Sequence, residues 1–340
     1  MIAPPILARQ LHAPKSTRWF VGWRVALITV FIVLSAGFFT LRATHQDDSG
    51  QILPVRIVYQ PHDPIFIYGD VGFEGDNSTT GVTWGSGTES DPYIIEGWKI
   101  TSVGDIGILV EDTTAHFVIR NCMASNMGPI GEGIHLSNCA NCTVANNELT
   151  GSASGIFAAG LANSTIVGNN CSDNLWQGIA MFGSRNNTLI GNLCNDSGEG
   201  IALYSSSDWN TIISNEVCHS TGYAVRIDSG SHNSILNNTF VGNNGAASVF
   251  DSGHVQASDN GTLNAWDKGP GAGNYWSDWT VPDDDMNGVV DNPYAIGGSA
   301  SAVDHYPRTT VPLPIPEFGS IVFIGSSLVA LFVVLLRSRR

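Results

Sequence analysis

Thr188-Leu189-Ile190-Gly191-Asn192 is followed 23 residues on by Thr211-Ile212-Ile213-Ser214-Asn215, and 23 further on by Ser234-Ile235-Leu236-Asn237-Asn238. The frame extends backward, giving a file of asparagines at Asn121, Asn147, Asn169, Asn192, Asn215 and Asn238 with intervals of 26, 22, 23, 23 and 23. One short apolar run per period, set between polar turn residues, is the signature of a solenoid. A second register of glycines runs ahead of it: Gly107, Gly133, Gly155, Gly178, Gly200 and Gly222, most of them opening a Gly-Ile strand such as Gly178-Ile179-Ala180-Met181. No segment sustains a 3.6-residue pattern, so helical crossovers are excluded and the strands must stack coil on coil. The expected fold is all-β, a parallel β-helix with coils of about 22–26 residues.

The apolar positions define the coil. Three residues before each asparagine stand Val118, Val144, Ile166, Leu189, Ile212 and Ile235; two after stand Met123, Leu149, Cys171, Cys194, Val217 and Phe240. Positions five apart lie on opposite faces of a straight strand, so both point inward only where the chain bends. Asparagine is expected at that bend, because it tolerates left-handed backbone and its amide both donates and accepts. A partial second column, Asn187, Asn210 and Asn233, is preceded by His116, Cys142 and Ser164. Tyr93 to Gly97 fits the same frame with Gly97 at the ladder position, and the pattern fades after Phe240. The solenoid is therefore expected over 90–250, with an N-terminal extension and cap at 43–89 and a Trp/Asp-rich cap at 251–310.

The termini read as membrane segments. Arg9, Lys15, Arg18 and Arg24 precede the uncharged run Val25 to Leu41, so residues 1–42 form a cytoplasmic start and a signal or spanning segment. At 311–340, a linker with Pro312, Pro314 and Pro316 leads through Glu317-Phe318 into the apolar run Ile321 to Leu336, closed by Arg337, Arg339 and Arg340. Both charge asymmetries place the intervening chain outside the cytoplasm, at a membrane or cell surface. All but one of the 30 acidic residues lie between 43 and 316, against seven bases. Such a surface repels phosphate backbones, so nucleic acid is not an expected partner. Sequons start at Asn77, Asn141, Asn163, Asn170, Asn186, Asn195, Asn237 and Asn260.

Candidate chemistry is sparse. Cys171 and Cys194 occupy the same frame position on adjacent coils and read as small buried hydrophobes. Cys139 and Cys142 lack a second ligand pair, and the nine histidines do not cluster, so copper has no evident site. Asp283, Asp285, Asn287 and Asp291 present oxygen donors at calcium-loop spacing with Gly288 at the turn; Tyr294 stands where a bidentate acid belongs, and Asp304 is the acid left to close the shell. Glycoside hydrolysis needs two facing acids. Asp173 and Asp196 are near-equivalent and Glu199 and Asp228 scattered, so no groove-lining pair on adjacent coils is expected. Trp176 and Trp209 fall in turns, where exposed rings can stack on sugar. Trp266, Tyr275, Trp276 and Trp279 suit the C-terminal cap.

Gly85-Ser86-Gly87-Thr88, Ser90 to Trp98, the Asn210 to Asn215 type of coil, Gly273 to Asp278, Asn292-Pro293-Tyr294 and Asp304 to Pro307 together resemble the archaeal surface proteins of the NosD-like, parallel β-helix repeat family. The resemblance implies a right-handed parallel β-helix, often with carbohydrate-related roles, and carries over no copper-binding residue. The tail resembles Pro-Glu-Phe sorting signals, which implies a sortase-like processing enzyme as a partner. The function expected is an exported, anchored module that binds polysaccharide or cell-envelope glycan, or is displayed there. A polysaccharide lyase or hydrolase is the alternative, and copper or other metal delivery the third reading.

Overall fold

Alternation inside the short apolar runs decides which side chains point inward. Ile119, Val144, Ile166, Leu189, Ile212 and Ile235 are in-register neighbours on successive parallel strands, and all are completely buried. The computed structural model describes residues 58–101 and 106–312, together with the backbone of short strand segments at 29–32, 39–42, 45–46, 52–53 and 321–322. The two expected membrane runs lie outside the residues whose side chains are described. Among the described residues, no helix is long and apolar enough to cross a membrane.

The chain winds into a parallel β-helix of about six turns. Three sheets run along it. The first contains Ile65–Tyr68, Ile108–Thr113, Gly128–Cys139, Ser152–Ala159, Gln177–Phe182, Glu199–Tyr204, Val225–Ile227 and Ala257–Asp259. The second runs from Tyr93–Glu96 through Phe117–Arg120, Cys142–Ala145, Thr165–Val167, Thr188–Ile190 and Thr211–Ile213 to Ser234–Leu236, with Val82–Trp84 added antiparallel at its N-terminal edge. The third links Gln60–Pro61, Trp98–Ile100 and Met123–Ala124 by single bridges at Glu148, Asn170 and Leu193 to Glu216–Cys218, Thr239–Val241 and Tyr275–Trp276. The winding thus begins near residue 60 and continues past 250, beyond the span over which the repeat is visible. Glycine opens first-sheet strands because a Cβ on Gly155 would sit 2.8 Å from the Gly178 carbonyl oxygen of the next coil.

The asparagine file is a continuous hydrogen-bond column. Nδ2 of Asn147, Asn169, Asn192, Asn215 and Asn238 donates at 2.9–3.0 Å to the side-chain oxygen of the next member, Asn274 receiving from Asn238. Each of these amides also donates to a main-chain carbonyl of the preceding coil, as Asn192 does to Ile166. Two sequence expectations need correction. Asn121 is not in this column: the Cys122 N–H bonds Asn147 Oδ1, so Cys122 holds the ladder position. The bend itself lies one residue earlier, where Gly97, Asn121, Asn146, Gly168, Gly191, Ser214 and Asn237 all have positive φ. A ladder amide must point inward, whereas the left-handed residue turns its side chain away, so one residue cannot do both.

A second column runs Ser164, Asn187, Asn210, Asn233 and Asn264, and a third includes Asn174, Ser197, Asn243 and Gln256. Full burial of each isoleucine or leucine contributes roughly 1.5–3 kcal/mol. A satisfied amide adds about 1 kcal/mol, and an orphaned one costs about 1–3 kcal/mol. The apolar files drive the winding, and the amides fix its register.

All three columns end on a buried carboxylate in the C-terminal cap. Asp304 accepts from the Asn274 main-chain N–H, Asn274 Nδ2, the Trp276 indole and the Tyr306 N–H. Asp259 accepts from Asn264 and the Trp266 indole, and Asp278 from Gln256 and the Tyr294 hydroxyl. Burial pushes Asp304 and Asp278 above the ordinary carboxylate range. Trp276 stacks on Tyr294 with ring centroids 4.0 Å apart, so the expected cap aromatics Trp266 and Trp276 are interior groups.

Candidate functional site

The outer face of the first sheet carries a row of aromatic side chains beside several charged ones. His135, Phe157, Phe182 and Tyr204 stack in sequence with centroids 4.8–5.1 Å apart, and the Arg226 guanidinium lies 5.6 Å from the Tyr204 centroid. The ring faces therefore cover one another. Tyr204 donates to Glu199 Oε2 at 2.6 Å, while Arg226 bonds Glu199 Oε1 at 3.1 Å and Asp228 at 3.2 Å. Burial first, then the Glu199 bond, raises the Tyr204 hydroxyl well above its ordinary value. A phenol held protonated is a poor general base. Both Glu199 oxygens are engaged, so this face is a satisfied network.

The corner leading into the first sheet differs. Asn126, Gly151, Asp173, Asp196, His219 and Gly242 all take left-handed backbone there, and the main-chain N–H groups of Asn126, Asp173, Asp196 and His219 each bond the carbonyl just before the next member of the file. Their side chains project outward, and an open groove of about 590 Å³ runs beside them, lined by Gly128, Pro129, Asp173, Leu175, Asp196 and Thr221 among others. Asp173 and Asp196 lie one coil apart, about 4.8 Å along the axis, and neither carboxylate accepts a hydrogen bond from the described residues. Leu175 and its neighbour Trp176 are 58% and 53% exposed. This corrects the expectation that no acidic pair lines a groove. The missed signal was the left-handed file, which turns Asp173 and Asp196, each ahead of its own Gly-Ile strand, toward the same side.

Trp209 lies away from this groove, at the corner between the first and second sheets. It stacks on His232 at 4.1 Å with an 11° interplanar angle. The two tryptophans read as sugar platforms therefore do not share a site.

In the cap loop, Asp283 accepts from the Asn287 and Gly288 N–H groups, Asp285 accepts from both nitrogens of Asn287, and Asp291 accepts from the Asp284 N–H. Asp304 cannot close a cation shell there, because it is buried at the end of the amide column. Among the described residues, no three His, Cys, Asp or Glu side chains are grouped to hold a metal ion.

With this geometry in place, one family matches: NosD, described as periplasmic copper-binding protein, over residues 75–281, more than half of the chain. The chain belongs to the NosD family. Its fold is the NosD-type right-handed β-helix. No curated protein matches the sequence. Among solved structures, the chain is similar to the periplasmic alginate epimerase AlgG at 17% identity and a TM-score of 0.36, covering 50% of this chain and 43% of that one. Tailspike protein 2 of Escherichia coli O157:H7 bacteriophage CAB120 is 16% identical with a TM-score of 0.40, covering 61% of this chain and 29% of that one. The Azotobacter vinelandii mannuronan C-5 epimerase AlgE4 A-module is 14% identical with a TM-score of 0.30, covering 64% and 82%. The chain thus spans less than half of AlgG and of the tailspike, and likeness at this level says nothing about activity.

The copper named in the NosD description can be tested against the donors present. Copper sites need imidazole, thiolate or thioether groups converging. Cys122, Cys139 and Cys142 are buried, and burial pushes their thiols up to about 12, so they stay protonated at neutral pH. Cys139 and Cys142 point their sulfurs at the Val110 carbonyl and the Ser164 hydroxyl. His135 bonds Glu132, and His232 stacks on Trp209. These residues do not fit a copper centre.

Proposed function

We propose that this NosD-family protein binds carbohydrate on the outer side of a membrane, with a glycan lying in the groove beside Asp173 and Asp196. The observation that carries this reading is the meeting of two uncommitted carboxylates with the exposed Leu175–Trp176 pair along one open corner. Carboxylates accept hydrogen bonds from sugar hydroxyls, and an exposed indole offers a flat apolar face to a sugar ring. Asp173 and Asp196 stand one coil apart in the same file, so a glycan parallel to the solenoid axis meets a carboxylate twice in succession. The terminal apolar runs and their basic flanks support anchorage at a cell surface.

A glycan array probed with the full-length protein tests the reading. Binding that falls at least tenfold in Asp173→Asn and Trp176→Ala variants is expected. Undiminished binding in both variants would place the ligand elsewhere, and no binding to any glycan would end the proposal. The same acidic pair favours a hydrolase as the second reading, since glycoside cleavage uses two carboxyl groups. Release of reducing ends that is abolished by Asp173→Asn or Asp196→Asn would select it over simple binding.

A further inference from the structure

Asn186 and Asn187 are adjacent and have opposite fates. Asn187 is 1% exposed and bonds Asn210 in the second amide column, whereas Asn186 has φ 57°, is exposed, and makes no side-chain hydrogen bond with the described residues. Asn186-Asn187-Thr188 is one of eight sequons, and the structure sorts the seven that lie in the coils and the cap. Asn170, Asn195, Asn237 and Asn260 have side-chain oxygens engaged by Ser172, Cys218, Arg308 and Ser299 respectively. Asn141, Asn163, Asn186, Trp209 and His232 form one corner file, with left-handed backbone at each. Main-chain bridges join the coils beneath it, at Ala140–Ala162, Ala162–Arg185 and Arg185–Asp208.

Trp209 sits one coil beyond Asn186 in that file. One face of its indole is covered by His232 from the following coil. The other face is turned back toward the coil of Asn186, has no ring or cation partner among the described residues, and belongs to a side chain 58% exposed. Asn163 lies one coil on the other side of Asn186, about 4.8 Å away along the axis, too close for both to carry branched sugars.

We infer that Asn186 is an N-glycosylation site whose first sugar packs on the free face of Trp209. This rests on the extracytoplasmic placement proposed above. In the transfer, Asn186 Nδ2 forms a bond to C1 of a lipid-linked oligosaccharide and gives up one proton. The bond from C1 to the lipid phosphate oxygen breaks, and the phosphate leaves with the electron pair. Trp209 thereby serves the chain's own glycan, leaving Trp176 for an external one.

The test is full-length protein produced in an N-glycosylating host, with surface biotinylation, peptide mapping by mass spectrometry, and melts before and after enzymatic removal of glycan. Asn186 is expected to be occupied and Asn195 and Asn237 bare, with no molecule carrying sugar on both Asn163 and Asn186. Deglycosylation should lower the melting temperature by roughly 2–4 °C in the parent, and by a clearly smaller amount in Trp209→Ala, whose Asn186 stays occupied. A surface-exposed chain with bare Asn186, or a glycan-dependent shift equal in parent and Trp209→Ala, overturns the inference. A chain that never reaches the outside overturns the placement and this inference with it.

Discussion

Between Asn147 and Asn238, every ladder amide finds its acceptor in the same residue type one coil on. Beyond Asn238 the interval lengthens to reach Asn274, and the file stops at Asp304. The body meets the demands of buried polar groups by repetition; the cap must meet them by termination. An amide column has a direction, with oxygens turned toward the N-terminal coils and N–H groups toward the C-terminal ones. Its last member therefore presents only donors, and a carboxylate is the side chain that accepts several donors while offering none. The same solution recurs at Asp259 and Asp278, each beside an aromatic donor.

The cap end is where this contrast breaks most visibly. Asp304→Asn keeps the size of the side chain but turns an NH₂ toward N–H donors, and should cost roughly 3–4 kcal/mol in urea unfolding; a loss below 1 kcal/mol would remove the terminator from the account. Within the body, Asn192→Leu removes the acceptor shared by the Asn169 main-chain and side-chain N–H groups, while the Asn215 oxygen keeps the main-chain N–H at position 192; a loss of about 2–3 kcal/mol is expected. Asn121→Gly should stay within about 0.5 kcal/mol, because that side chain lies outside the column and glycine accepts the left-handed backbone there. Equal losses at 121 and 192 would refute the corrected register.

Acid sharpens the comparison. Asp304 is raised by burial, so the folded state takes up its proton at a higher pH than the unfolded chain does. Stability linked to Asp304 therefore rises as pH falls from neutral through the raised folded value toward the ordinary value near 3.9. Melts of parent and Asp304→Asn over that window should show the parent's advantage widening; a narrowing gap would reverse the sign. The smallest effect belongs to the groove. Asp173→Asn relieves a like-charge neighbour on the surface and should change stability by no more than about 0.5 kcal/mol, so its effect on glycan binding reads as contact rather than unfolding.

The contrast also explains what could be read from the chain. Leu189, Ile212 and Ile235 repeat at constant spacing, so the coil, five of the six ladder asparagines and the inward files are legible in the sequence, except at their first members, where Ile119 and Ala124 rather than Val118 and Met123 stand in register with Val144 and Leu149. Asn121 misled because Asn146-Asn147 and Asn237-Asn238 are double asparagines, and periodicity alone does not say which of two neighbours turns inward. The cap does not repeat: Asp304 closes a column that starts at Cys122, and nothing in its local sequence shows that. Trp176 and Trp209 were visible as turn aromatics, but their separation, and the pairing of Asp173 with Asp196, depend on which left-handed file each corner carries.

Side-chain amide hydrogen exchange followed by NMR addresses the column most directly. The Nδ2 protons of Asn147, Asn169, Asn192, Asn215, Asn238 and Asn274 should exchange far more slowly than those of Asn121, Asn163 and Asn186, whose side chains make no such bonds. Ladder amides exchanging as fast as Asn186 would contradict a continuous column running from the body into the cap.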